Sequence, residues 1–86
     1  MLLERARQAL PNPSEQQRPQ YESLLAEYHE FLAHNELGLA FDTLKALGDL
    51  LPCRGGFWRD LERTAEIMGR VDELPALRKR FSDALG

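Results

Sequence analysis

The sequence is poor in the residues that build most active sites and covalent staples. Cys53 is the only cysteine, so no intramolecular disulfide can form. His29 and His34 are the only histidines, too few for a histidine-rich metal centre. No apolar run approaches the roughly 18 residues of a membrane span. The start, Met1-Leu-Leu-Glu-Arg-Ala-Arg, places charges where a secretory leader would be apolar. With a single thiol, this leads to the expectation of a cytoplasmic protein that does not engage membranes. Base-rich composition is also missing. The net charge of −3 has the wrong sign for autonomous nucleic-acid binding, and Arg78-Lys-Arg80 would splay around a helix rather than form one stripe.

What is present describes one helical domain over residues 1–86. Hydrophobic residues make up 43% and charged residues 29%, too apolar for disorder. A chain this short buries a modest core, which leaves room for a partner or a second copy to contribute stability. Apolar positions recur at three- and four-residue steps, and period-two alternation is absent throughout. The expected fold is therefore all-α, a small antiparallel bundle of four to five helices.

Met1 to about Leu10 reads as a short helix, with Leu2, Leu3, Ala6 and Leu10 on one side. Pro11-Asn-Pro13 stops it, which makes residues 1–13 candidates for a peripheral element. Ser14 with Gln17 matches a capping box, while Pro19 allows either a separate turn or a helix start. Tyr21, Leu24, Leu25, Tyr28, Phe31 and Leu32 then form a stripe to about His34, and Asn35 suits a helix end. From Glu36 to Leu50 the arc of Leu37, Ala40, Phe41, Leu44 and Leu47 is widened by Leu39, Ala46 and Leu50, as expected of a central helix. Gly38 and Gly48 each cost such a helix about 1 kcal/mol relative to alanine, which points to close approach or fraying ends. Phe57, Leu61, Ala65 and Met68 mark a further helix stopped by Gly69. Asp72 is placed to cap the last helix, whose face is Leu74, Leu77, Phe81 and Leu85.

Chemistry-bearing constellations are weak. Glu27, Glu30 and His34 fall at i, i+3 and i+7, and Glu30 with His34 has metal-ligand spacing. No second such pair exists to complete a site, so the expectation is a solvated face and no bound metal or cofactor. Cys53 beside Arg54 lacks a base, and Ser14, Ser23 and Ser82 lack one too. Arg54-Gly-Gly-Phe57 lacks the lysine and hydroxyl of a nucleotide loop. No enzyme is expected.

Charge is the more telling feature. Residues 15–50 carry seven acids (Glu15, Glu22, Glu27, Glu30, Glu36, Asp42, Asp49) against Arg18 and Lys45, whereas residues 51–86 are nearly balanced. Glu27, Glu30, His34, Glu36, Asp42 and Asp49 are therefore the candidate partner-binding residues. They would create a negative field with Lys45 as the only nearby base, suited to a basic protein partner.

Two resemblances bear on this segment. Ala40, Leu44 and Gly48, with Trp58 and Leu61, echo parts of a tetratricopeptide pair, but no self-similarity at about 34 residues follows it. The stretch Tyr28-His-Glu-Phe-Leu-Ala-His34-Asn-Glu36-Leu-Gly38-Leu-Ala40-Phe41-Asp-Thr-Leu44, closed by Phe57 to Gly69, resembles small helical immunity proteins of bacterial polymorphic-toxin systems, the MafI type. The chain departs from that pattern at Asn35 and at Pro52-Cys-Arg-Gly-Gly56. The resemblance, over about residues 24–70, implies a protein that binds and neutralises a cognate toxin. The alternative is a cytoplasmic helical adaptor or homodimer.

Overall fold

Five α-helices follow one another in the computed structural model, which describes residues 2–84. Met1 and Leu85, expected in the first and last helices, lie outside the described residues, as does the side chain of Leu2. The helices are α1 (Leu2–Gln8), α2 (Arg18–Ala33), α3 (Leu37–Leu50), α4 (Gly55–Met68) and α5 (Leu74–Ala84), with a 3₁₀ turn at Val71–Glu73 before α5. No strand occurs among the described residues, so the fold is the all-α bundle that the periodicity predicts.

Two hairpins make the frame. α2 packs along α3, α5 packs along α4, and α1 lies against α4 and reaches α3. The extents of 35 × 32 × 18 Å leave a short dimension of about two helix layers. Both hairpin turns use the same device. Asn35, at φ 57°, lets Glu36 N–H donate to Phe31 O and Asn35 N–H to Leu32 O. Gly69, at φ 76°, sets up the matching bonds from Arg70 to Ala65 and from Gly69 to Glu66. Each left-handed residue thus satisfies carbonyls that the helix end would otherwise leave open.

The core gathers Tyr28 of α2, Phe41, Leu44 and Leu47 of α3, Phe57, Trp58 and Leu61 of α4, and Leu77 of α5. Leu3 and Ala6 of α1 are buried with them, so the first helix is a core element and not a peripheral one. The Tyr28 hydroxyl lies 3.4 Å from Glu4 Oε1, and burial followed by that carboxylate pushes its pKa well above the ordinary phenol value.

Several local expectations hold and others need correction. Ser14 and Gln17 form the reciprocal capping box and close a turn that leads into α2, and Gln17 Nε2 also donates to Leu50 O at 3.0 Å. Asp72, expected to cap the last helix, sits inside the 3₁₀ turn instead, and no side chain caps that turn. Leu37 was expected in the core but is 38% exposed, because it stands at the first position of α3, beyond the end of the packed layer. Leu25, Leu32 and Met68 are half-buried at the core's margin. Gly48 is the close approach. A Cβ there would run into the Phe57 ring and lie 2.7 Å from Trp58 Cη2.

Candidate functional site

Periodicity places the α2 acids. Tyr28 turns inward, so Glu22, Glu27 and Glu30 fall on the side away from α3, and all three are exposed. His34, at the end of α2, and Glu36, just before α3, are exposed as well. None of Glu22, Glu27, Glu30 and Glu36 meets a base among the described residues. α2 runs along the edge of the molecule, packed along α3 and touching α1 through Tyr28. The result is a solvent-facing acidic strip.

Asp42 and Asp49 do not belong to that strip. Together with Gly38 and Lys45 they occupy a different face of α3, which the carboxyl-terminal third of the chain covers with arginines. Arg70 Nη2 lies 2.9 Å from Asp42 Oδ1, Arg80 pairs with Asp49, and Lys45 Nζ lies 2.8 Å from Glu73 Oε2. The expectation that Lys45 is the only base near these acids is therefore corrected. Arg70 is the hub. Its Nη1 donates to Gly38 O at 3.0 Å, and its guanidinium lies 4.8 Å from the Phe41 ring centroid. Arg80 stands likewise 5.3 Å from the Trp58 ring. Such contacts tie the two hairpins together with planar cations that Lys would replace poorly.

Sequence reasoning missed an apolar component. Four large hydrophobic side chains are exposed among the described residues: Leu37 at 38%, Leu39 at 47%, Ile67 at 75% and Val71 at 65%. Leu39 and Ile67 lie off the main stripes of their helices, a signal visible in the sequence but normally uninformative for a single residue.

Other features offer little chemistry. Among the described residues, no three His, Cys, Asp or Glu side chains are grouped to hold a metal ion. Cys53 is half-buried, and burial pushes its thiol up to about 11, away from thiolate reactivity at neutral pH. A shallow cleft between Ala9, Pro11, Pro52 and Arg54 presents one charged side chain and no convergent set.

No helix among the described residues is long and apolar enough to cross a membrane. Comparison with known proteins returns no family model, no curated protein and no solved structure that matches this chain.

Proposed function

We propose that this chain is a non-enzymatic protein-binding module, an immunity-type inhibitor that neutralises a cognate bacterial toxin by laying an acidic helical surface on a basic one. The observation that carries this reading is the set Glu22, Glu27 and Glu30 on the outer side of α2, continued by Glu36, which meets no base among the described residues. Asp42, Asp49 and Glu73, by contrast, are each paired internally. Carboxylates held on a helix without partners speed encounter with a basic surface and disfavour wrong partners.

Glu30 adds a physical hint. It stands in the last turn of α2, where no base offsets it. A carboxylate there opposes the helix dipole by about 0.3–1 kcal/mol. No ion pair among the described residues offsets that small cost, and a binding role would. The resemblance of residues 28–44 to MafI-type proteins supports the partner class, and the cytoplasm is the compartment that goes with it.

The test is association kinetics with the product of an adjacent toxin gene at low and high salt. Glu27→Lys with Glu30→Lys should leave helicity intact and slow association by about 10-fold or more at low salt. The loss should shrink as salt rises. Unchanged rates would remove α2 as the steering surface. No binding by the unmodified chain would favour the helical adaptor.

A further inference from the structure

The two hairpins meet sparingly. α2 and α3 run close together along their lengths, as do α4 and α5, but the backbones of α3 and α4 come near each other at few points. A short link, residues 51–54, joins the pairs in the chain. At Gly48 the Phe57 and Trp58 rings lie close against α3. Polar ties reinforce that contact: Arg70 with Asp42 and the Gly38 carbonyl, Lys45 with Glu73, and Arg80 with Asp49. The side chains of those ion pairs are partly open to solvent, so salt screens them.

α1 touches both pairs. It lies along α4, reaches α3, and sends Glu4 to the Tyr28 hydroxyl of α2. Its Leu3 and Ala6 are buried in the core that the hairpins share. That part of the contact is apolar, so salt does not screen it.

α1 is also built to let go. At seven residues it is too short to stay helical alone in water, where roughly 12–15 are needed. Among the described residues its one ion pair, Arg7 with Glu4, lies within α1 itself, and its side-chain hydrogen bond to another helix is the long 3.4 Å contact with Tyr28. Residues 11–13 make no backbone hydrogen bond among the described residues. A cleft between Ala9, Pro11, Pro52 and Arg54 leaves that linker loosely packed on the 51–54 link. The largest fully buried side chains all come from the other four helices, so a core remains when α1 departs.

We propose that α1 is a releasable clasp across the two hairpins. Docked, it fixes α2–α3 against α4–α5. Released as a unit, it leaves both hairpins folded and lets them shift about the 51–54 link, held by contacts whose strength then depends on salt. This device does not rest on the inhibitor reading or on any partner. Trp58 reports on it, being the only tryptophan and 4% exposed where it packs on Gly48.

The experiment uses the full chain. In native-state amide exchange, the amides of residues 6–10 should exchange about 10-fold or more faster than those of α3, with a shallow urea dependence against a steep one. Leu3→Asp puts a charge at a buried position and should release α1. Helicity by circular dichroism should then fall by no more than the share of α1, while Trp58 emission shifts to the red. Raising salt to 1 M, where the screening length is about 3 Å, should enlarge that shift in Leu3→Asp and leave the unmodified chain unchanged. Exchange of α1 and α3 amides at one rate and with one urea dependence overturns the clasp, as does loss of all helicity in Leu3→Asp. Trp58 emission unmoved by Leu3→Asp, or a salt response equal in the two chains, overturns it as well.

Discussion

α2 and α3 are neighbours in sequence and in space, yet they are held in the molecule differently. α2 has 16 residues but only Tyr28 is fully buried; α3 has 14, and Ala40, Phe41, Thr43, Leu44, Leu47 and Gly48 are buried. Both carry an apolar stripe, but α3 is the more apolar, with Asp42, Lys45 and Asp49 as its charges against Arg18, Glu22, Glu27 and Glu30 in α2. Position adds to this. α3 has neighbours in α1, α2 and α4, whereas α2 packs along α3, meets α1 through Tyr28 and Glu4, and keeps a solvated acidic side. One helix organises the core and the other presents a surface.

The largest test of that contrast is a pair of truncations. Phe41→Ala should cost about 3–5 kcal/mol, enough to unfold most of a domain this small. Leu24→Ala on the half-buried stripe of α2 should cost under about 2 kcal/mol. Urea unfolding followed by far-ultraviolet circular dichroism measures both, and equal costs would erase the distinction between the helices.

The two glycines of α3 sharpen the comparison next. Gly48→Ala should destabilise by about 1–3 kcal/mol despite the better helix propensity of alanine, because the new methyl overlaps Phe57 and Trp58. Gly38→Ala meets only Arg70 Nη1 at 3.7 Å, an ordinary contact, and should be neutral or stabilising by less than about 1 kcal/mol. Thermal melts should therefore move in opposite directions or, at the least, by clearly unequal amounts.

The two hairpin turns differ by one side chain at matching positions. Gly69→Ala forces an alanine into φ 76° and should cost about 1–2 kcal/mol. Asn35→Gly relieves a milder strain at φ 57° and should stabilise by well under about 1 kcal/mol. If Asn35→Gly destabilises, the Asn35 side chain contributes more to the α2–α3 turn than its backbone conformation explains.

The smallest effect concerns Cys53. Burial raises its pKa in the folded state, so the stability tied to the neutral thiol is fully present below the unfolded value. It is lost as pH rises through about 11. Cys53→Ala should flatten that alkaline decline slightly, and alkylation of the native thiol should be slow at neutral pH and fast in urea.

Much of this molecule is legible in local pattern. The Ser14–Gln17 capping box, the Asn35 and Gly69 stops and the inward faces of α3 and α4 follow from rules that act within one helical turn. The candidate site was less legible. Glu27 and Glu30 could be placed on an outer face because their own helix decides it, but the pairing of Asp42 with Arg70 and of Asp49 with Arg80 could not. Those partners lie far along the chain, and an aspartate's helical position says nothing about which element covers it.

The sequence by itself determined that the chain is helical, where its helices stop, and that residues 15–50 carry the acidic excess. Helix period and turn chemistry are local, so no tertiary contact is needed to read them. Only the tertiary structure decided which acids stay unpaired, that α1 enters the core, and that Leu37, Leu39, Ile67 and Val71 stay exposed. Each of these depends on how the hairpins pack and on which side chain reaches across between them, and no stripe along a single helix encodes either one.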